Sequence, residues 1–340
     1  MIRIAIVILN FNGSHHLKRF LPSVCRYSVS PGNRIIMVDN GSNDDSVSFV
    51  RSTFPEIDLI EFSKNNGFAP GYCLALKQVD ATYFVLLNSD VEVTPGWLEP
   101  LYTAMESDPS MGACMPRMRD YNHPDHFEYA GAAGGFIDYL GYPFCRGRLL
   151  SSVEKDTGQY DQPRDIFWAS GACMFVRSSA YFRAGGLDED FFAHMEEIDL
   201  CWRMRRTGFS IRAVPESIVY HIGGGTLPNN NPHKLFLNYR NNLYLLFKNL
   251  TIIQLVPVLF MRMILDGMSA LVYLVNGSGS FCKAVFQAHM AFYKNIPRLI
   301  RKRIELKGTI GRVHIKEIYP RSILFDFFVR KKRYFSELEW

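Results

Sequence analysis

Tyr83-Phe84-Val85-Leu86-Leu87-Asn88-Ser89-Asp90-Val91-Glu92-Val93 is the stretch on which the reading of this chain turns. Five apolar residues in a row, without polar alternation, describe a strand buried on both faces, as in the middle of a mostly parallel sheet. The run then stops at Asn88, Ser89 and Asp90, which are poor strand formers with oxygen-bearing side chains. Open α/β sheets bind ligands at the carboxyl ends of their strands. Asp90 therefore stands where a carboxylate would hold a divalent cation against a phosphate, since hard cations take one or two carboxylates plus phosphate oxygens. An apolar run ending in Asn-Ser-Asp is also an ordinary exit from a strand into a turn.

Working back from that strand, Ile4 to Leu9, Arg34 to Val38 and Ile57 to Phe62 read as three more strands. Helical spacing of Leu17, Phe20, Leu21 and Val24, then of Val47, Val50 and Phe54, fills the intervals, and a short helix runs to Val79. This βα alternation, repeating at roughly 25 residues, predicts a parallel sheet wrapped by helices. Its polar turns fall on one edge, so Asn10, Asp39, Asn66 and Asp90 would line a single crevice suited to a nucleotide. Neither a G-x-G-x-x-G after the first strand nor a G-x-x-x-x-G-K-[ST] is present, so phosphate charge needs another partner, and a cation on Asp90 supplies one.

The chain has 340 residues, 48% hydrophobic and 21% charged, which describes an ordered protein with a large core and excludes a disordered one. Seven scattered cysteines, an odd number with no Cys-x-x-Cys, argue against a disulfide framework or a zinc site and for a reducing compartment. The apolar start, Ile2 to Leu9, is too short for a secretory signal and reads as the first strand. Charge is unevenly spread. From Lys294 onward thirteen Lys and Arg face five Asp and Glu, while the residues before carry a slight acidic excess.

Beyond Asp90, Pro95-Gly96 precedes a helix through Trp97, Leu98, Leu101 and Met105, and Gly112 to Met115 is strand-like. Residues 119–166, rich in Gly, Pro and aromatics, read as irregular loops shaping an acceptor pocket. Order returns at Phe167-Trp168-Ala169-Ser170-Gly171-Ala172-Cys173, where Gly171 and Ala172 would admit a substrate close to the backbone. Between Asp188 and Asp199 stand six acidic residues in twelve positions, more than helix capping uses, so Glu196, Glu197 and Asp199 are candidates for a general base. Asp199 and Arg203 form an i, i+4 pair. His221 leaves a strand, Ile218 to Tyr220, and enters the glycine run 223–225.

Taken in order, these motifs resemble family 2 glycosyltransferases of the GT-A fold, and most of all bacterial rhamnosyltransferase-like members. The resemblance rests on Val7-Ile8-Leu9-Asn10-Phe11-Asn12, Val38-Asp39-Asn40-Gly41-Ser42, Asn65-Asn66-Gly67-Phe68-Ala69-Pro70-Gly71, Leu87-Asn88-Ser89-Asp90, and Gly186-Leu187-Asp188-Glu189 through Glu196-Glu197-Ile198-Asp199-Leu200-Cys201-Trp202-Arg203, with His221 beyond. It implies a Rossmann-like, mostly parallel central sheet flanked by helices. It further implies that Leu9, Asn10 and Asp39 meet the nucleotide, that Asn66 and Gly67 form the donor loop, and that Asn88 and Asp90 form the D-x-D-like element. Asp90, completed by His221, would ligate Mn²⁺ or Mg²⁺. Glu197 takes the general-base position, with Glu196 and Asp199 as alternatives, while Trp168, Gly171, Trp202 and Arg203 fall on the acceptor side. Asn88 departs from the usual Asp, Glu197 from the usual Asp, and Cys73 and Pro70 from the usual Asn and small residue.

The activity so implied is inverting transfer of a sugar from a UDP- or dTDP-sugar to a glycan or polyprenyl-diphosphate-linked acceptor in surface polysaccharide synthesis. A sugar nucleotidyltransferase is the alternative, weakened because Asn10 to His16 holds no Arg or Lys for a triphosphate; a non-catalytic membrane-binding protein is another. We expect residues 1–230 to be the catalytic domain and 231–340 a mainly helical, basic extension. Ile252 to Val275 is strongly apolar, but Arg262 and Asp266 sit at its middle, so it reads as packed or amphipathic rather than transmembrane. Basic residues laced with aromatics, from Arg298 to Arg303 and from Phe325 to Arg333, suit an anionic membrane surface. The expected location is cytoplasmic, peripheral on the inner face of the cell membrane, with no nucleic acid partner.

Overall fold

The computed structural model describes residues 2–223, 231–307 and 315–340; the glycines at 224 and 225 lie outside the described residues. Three consecutive βα units and a fourth strand open the chain. Strands β1 (Ile2–Asn10), β2 (Asn33–Asp39), β3 (Asp58–Glu61) and β4 (Ala81–Asn88) alternate with helices α1 (Ser14–Ser28), α2 (Ser46–Thr53) and α3 (Phe68–Leu76). All four strands run parallel in the order β4-β1-β2-β3. Ala5 to Ile8 and Tyr83 to Leu87 are sealed on both faces, which is why neither run alternates. Helix α3 begins at Phe68 and ends at Leu76, short of Val79; Pro70 falls in its first turn, where a missing N–H costs nothing.

The sheet continues on the other side of β4 with mixed polarity. It takes in β5 (Val91–Val93), β6 (Met111–Asp120), β11 (Arg164–Asp165), β12 (Cys173–Arg177) and β13 (Ser210–His221), with α4 (Leu98–Ser107) and α5 (Ser178–Arg183) packed along it. Strand β12 runs antiparallel between β4 and β6, and β13 runs parallel to β6. Register along β13 slips between Val214 and Ile218, where Pro215 cannot donate to the ladder. The slip re-aims the strand so that His221 ends opposite Val91, one residue past Asp90.

Residues 119–166 are not irregular loops. They build a second sheet from β7 (Gly135–Asp138), β8 (Pro143–Cys145), β9 (Arg148–Leu149) and β10 (Ser152–Val153), joined by β14 (Ile318–Tyr319) from near the carboxyl end. Strands of two to four residues carry too little pattern to be read against Gly and Pro. Gly135 is needed for contact: a Cβ there would lie 2.1 Å from the Trp168 ring. Trp340 packs on Phe136 and Tyr319 with ring centroids 5.0 and 5.2 Å apart, so the end of the chain closes this sheet.

Helices α6 (Glu196–Arg206), α7 (Pro232–Asn249), α8 (Ile252–Val275), α9 (Gly279–Lys307) and α10 (Ile323–Phe328) complete the molecule. One apolar core runs through both sides of residue 230, from Ile4 and Leu87 to Leu245, Phe292 and Phe335. All seven cysteines are free.

Candidate functional site

The carboxyl ends of β1, β2 and β4 meet side by side, because register sets Asn10 against Asp39 and Leu9 against Asn88. The Asn10 amide donates to Asp39 Oδ1 at 3.4 Å and to Ser42 Oγ at 3.3 Å, and Asp39 Oδ2 accepts from the Ser42 N–H at 2.9 Å. Next to them Asn40, 2% exposed, straps the Asn65–Gly67 loop: its amide donates to the Gly67 carbonyl at 2.9 Å and the Asn65 side chain at 3.1 Å, and its Oδ1 accepts from the Asn66 N–H at 3.0 Å. Gly67 (φ +94°) has the Phe192 ring against it, 2.5 Å from where a Cβ would sit. Leu9 reaches Gly71 in the helix that follows the loop. Asn40 stood within a quoted motif, but only the fold showed that it holds the loop.

Asp90 lies in the turn between β4 and β5, 7% exposed, and its Oδ1 is 3.2 Å from His221 Nε2. Two ligands on adjacent corners of an octahedron about 2.1 Å from a cation lie about 3 Å apart, so the pair fits a shared divalent metal. His221 Nδ1, on the far side of the ring, lies 3.3 Å from Glu128 Oε1. A carboxylate behind a histidine fixes which ring nitrogen is presented to a metal. Burial alone would lower the His221 pKa, but the Asp90 and Glu128 carboxylates outweigh it and lift it to about 10. Asp90 is held below the usual carboxylate range: burial pushes it up, and His221 more than reverses that. Among the described residues no three His, Cys, Asp or Glu side chains gather as a closed metal cage. Glu128 belongs to no motif and left no signal in the sequence.

The acidic cluster divides in two. Glu196 and Glu197 open α6, each with an Oε2 that has no hydrogen-bond partner. Glu196 is 4% exposed, and burial with the Glu197 charge beside it raises its pKa well above the ordinary value. Glu197 is less enclosed, and burial lifts it to about 7. Its Cβ and Cγ lie 3.6 and 3.8 Å from where a Gly171 Cβ would be, beside Phe68. Ala172, next along, accepts the Asn88 N–H at 2.9 Å. Gly171-Ala172 thus stands between Glu197, against Gly171, and the end of β4, two residues before Asp90.

Asp199 has other neighbours. It is 0% exposed, and its carboxylate accepts from Arg203 Nε, Lys248 Nζ and Asn249 Nδ2, each at 2.8 Å. Asp188 is bound by Lys248 and Lys302, and Asp190 by Arg298 and Lys302. These acids bind the carboxyl-terminal helices to the catalytic half, which corrects their reading as surplus to structure. The acceptor-side assignments of Trp168, Trp202 and Arg203 are corrected too. Trp168 is buried and donates to the Phe136 carbonyl at 2.9 Å; Trp202 packs edge-on to Phe167; Arg203 is spent on Asp199 and the Ala184 carbonyl. Helical and strand spacing names these residues but not the face they take.

The turn before Glu196 carries left-handed backbone at Phe192, His194 and Met195 (φ 64°, 70° and 71°), which costs about 1–3 kcal/mol at each such residue. Asn241 of α7, fully buried, compensates by donating to the carbonyls of Phe191, Ala193 and His194 at 2.9, 2.8 and 2.7 Å. The Phe192 carbonyl in turn accepts the N–H groups of Phe68 and Ala69 at 2.8 and 3.0 Å.

Residues 5–182 match the model of glycosyl transferase family 2. The chain belongs to that family. An N-acetylglucosaminyl-diphospho-decaprenol L-rhamnosyltransferase of Mycobacterium tuberculosis (strain ATCC 25618 / H37Rv) is 29% identical over 234 residues, covering 64% of this chain and 75% of the relative. Rhamnosyltransferase WbbL of Escherichia coli (strain K12) is 26% identical over 161 residues, covering 47% and 60%. In fold, this family 2 glycosyltransferase is similar to GalNAc-T7 solved with UDP, GalNAc and Mn²⁺ (TM-score 0.58, 15% identity, 73% of this chain and 48% of that one). It is also similar to mannosyltransferase PcManGT from Pyrobaculum calidifontis solved with GDP-Man and Mn²⁺ (TM-score 0.53, 14% identity, 90% and 85%). The fold is GT-A, and the chain is a glycosyltransferase of polysaccharide or glycan biosynthesis.

Proposed function

We propose that this glycosyltransferase moves one sugar, a rhamnosyl group by likeness to its relatives, from a UDP- or dTDP-sugar to a hydroxyl of a polyprenyl-diphosphate-linked glycan, with inversion. The lipid-linked acceptor makes it a peripheral protein at the cytoplasmic face of the cell membrane. What supports the reading is one chain of neighbours: the Asp90–His221 pair just past β4, the Asn88 N–H bonded to Ala172 beside the Gly171 that Glu197 faces, and Asn10 and Asp39 at the ends of the adjoining strands. Asp39 and Asn10 suit the ribose and base, and Asn66 with Gly67 the donor sugar.

Asp90 and His221 would hold a divalent cation, Mn²⁺ or Mg²⁺, which when bound supplies charge for the leaving diphosphate. Glu197 takes the proton of the acceptor hydroxyl as that oxygen bonds to the anomeric carbon and the bond from that carbon to the diphosphate oxygen breaks. A retaining double displacement needs a second carboxylate as nucleophile. Glu196, the neighbouring carboxyl, is sealed in, with its pKa raised well above the ordinary value by burial and the Glu197 charge, and is ill placed to supply one. One displacement therefore inverts the anomeric carbon.

A thermal-shift panel of nucleotide-sugars with and without Mn²⁺ tests this, because a ligand stabilises the fold in proportion to its concentration over Kd. The expected result is stabilisation by one UDP- or dTDP-sugar, enhanced by Mn²⁺. Asp90→Ala should abolish the Mn²⁺ increment, and Glu197→Gln should keep binding but lose transfer. Full transfer by either variant would overturn the assignment.

A further inference from the structure

Helix α8 has 24 residues and is about 36 Å long, and its only charged side chains are Arg262 and Asp266. Those two charges do not interrupt an apolar face; both are buried and point into the protein. Arg262 Nη2 lies 3.1 Å from Asp266 Oδ1 and stacks 3.8 Å over Tyr142, and Asp266 Oδ2 lies 3.1 Å from His289 of α9. Ser269, one turn further on, is bonded to Tyr239 of α7 at 2.6 Å. With Leu255 and Val258 these residues form the narrow stripe by which α8 is fixed along its length to the protein. The rest of its circumference is open and apolar: Ile253, Val256, Phe260, Met268, Leu271 and Val275 are 59–87% exposed. The face continues on α9, where exposed Phe286, Met290, Tyr293, Ile300 and Ile304 recur at helical spacing, and Tyr293 donates to Met263 Sδ at 3.1 Å to join the two helices. Exposed Lys283, Lys294 and Arg301 run along α9 beside that stripe.

We infer that this α8–α9 face is the membrane-seating surface of the protein, with α8 lying in the plane of an anionic monolayer. A face of this length without an exposed charge is not how a protein partner is met: protein–protein interfaces are only about 56–65% apolar and carry about one hydrogen bond per 100–200 Å². An apolar face bordered by cations matches a helix at the boundary of headgroups and acyl chains. Because α8 is tied to the protein along its inner stripe, it lies on the membrane rather than crossing it. The basic tail is not the principal anchor, since Arg298 and Lys302 are engaged by Asp190 and Asp188. The choice of a lipid surface draws on the lipid-linked acceptor of the proposed function, but the face itself does not depend on it.

Flotation of the full chain with vesicles of phosphatidylethanolamine and phosphatidylglycerol tests the inference. The expected result is vesicle binding that falls about a hundredfold in the triple variant Phe260→Ser, Met268→Ser, Leu271→Ser, each position being exposed and so dispensable for folding. Replacing Lys283, Lys294 and Arg301 by Gln should weaken binding about fivefold per cation at low salt. Unchanged binding by the serine variant, or absence of binding by the native chain, overturns the inference. So does a stable dimer in lipid-free solution that the serine variant dissociates, which would assign the face to a second copy. Transfer to a water-soluble acceptor separates the two readings: retained there without vesicle binding, it leaves the proposed function standing and this inference refuted.

Discussion

Glu197 is the second residue of α6, where the helix N-terminus favours a carboxylate, yet burial wins and lifts its pKa to about 7. A base must be ionised to work, so transfer should rise about tenfold between pH 6 and pH 8 and level off above. The rise should vanish in Glu197→Gln, whose kcat falls by about 10²–10⁴. The same group sets a stability trend. Its folded pKa lies above the ordinary 4.5, so the native state holds the proton more tightly than the unfolded chain between those values. Stability from this group is greatest below about 4.5 and declines as pH rises toward 7. Glu197→Gln should therefore melt a few degrees higher than the native chain at pH 8 and show no such gain at pH 4, as read by calorimetry. At this scale the sequence was informative where a strand end fixed the position: Asn10, Asp39 and Asp90 each follow an apolar run, and all three meet at one edge. It was uninformative where only a helix face decides, as between Glu197 and Asp199, two residues apart and turned to different surroundings.

Among the elements, α7 has the least expected role. Its Asn241 holds the left-handed turn from which α6 departs, so Glu197, the proposed base, is positioned by a helix from the part of the chain expected to be an extension. Asn241→Ala leaves three carbonyls without that donor and lets the turn relax. The expected outcome is about a hundredfold loss of kcat, since displacement of a catalytic group by about 1 Å has that effect. The Mn²⁺ increment in donor binding, which depends on Asp90 and His221, should persist, and a cooperative melt would show that the fold survives. The βα half of the sheet was legible because its strands are long and apolar. The second sheet was not, because β9 and β10 are two residues each and β14 arrives from residue 318.

For the whole molecule, the boundary at residue 230 separates sequence motifs but not cores. Lys248, 2% exposed at its side chain, pairs with Asp188 and Asp199, and removing one partner of a buried pair costs about 3–5 kcal/mol. A chain ended at residue 230 would lose Lys248, Lys302 and Arg298 together, and with them the apolar cover of Leu245 and Phe292. Such a fragment should show no cooperative melting transition and should bind apolar dye; a soluble fragment with native-like melting would refute this. The excess of positive charge near the end of the chain, which suggested an outward-facing surface, is partly internal.

Phe192 gives the architecture a thermodynamic meaning. Its carbonyl takes the N–H groups of Phe68 and Ala69, the first residues of α3 just past the proposed donor loop, and five residues later the chain reaches Glu197, the proposed proton acceptor. Under the proposed roles, occupancy of one substrate pocket and alignment of the other share this short length of backbone, and by reciprocity each biases the other by the same factor. Donor and acceptor should therefore each tighten the binding of the other.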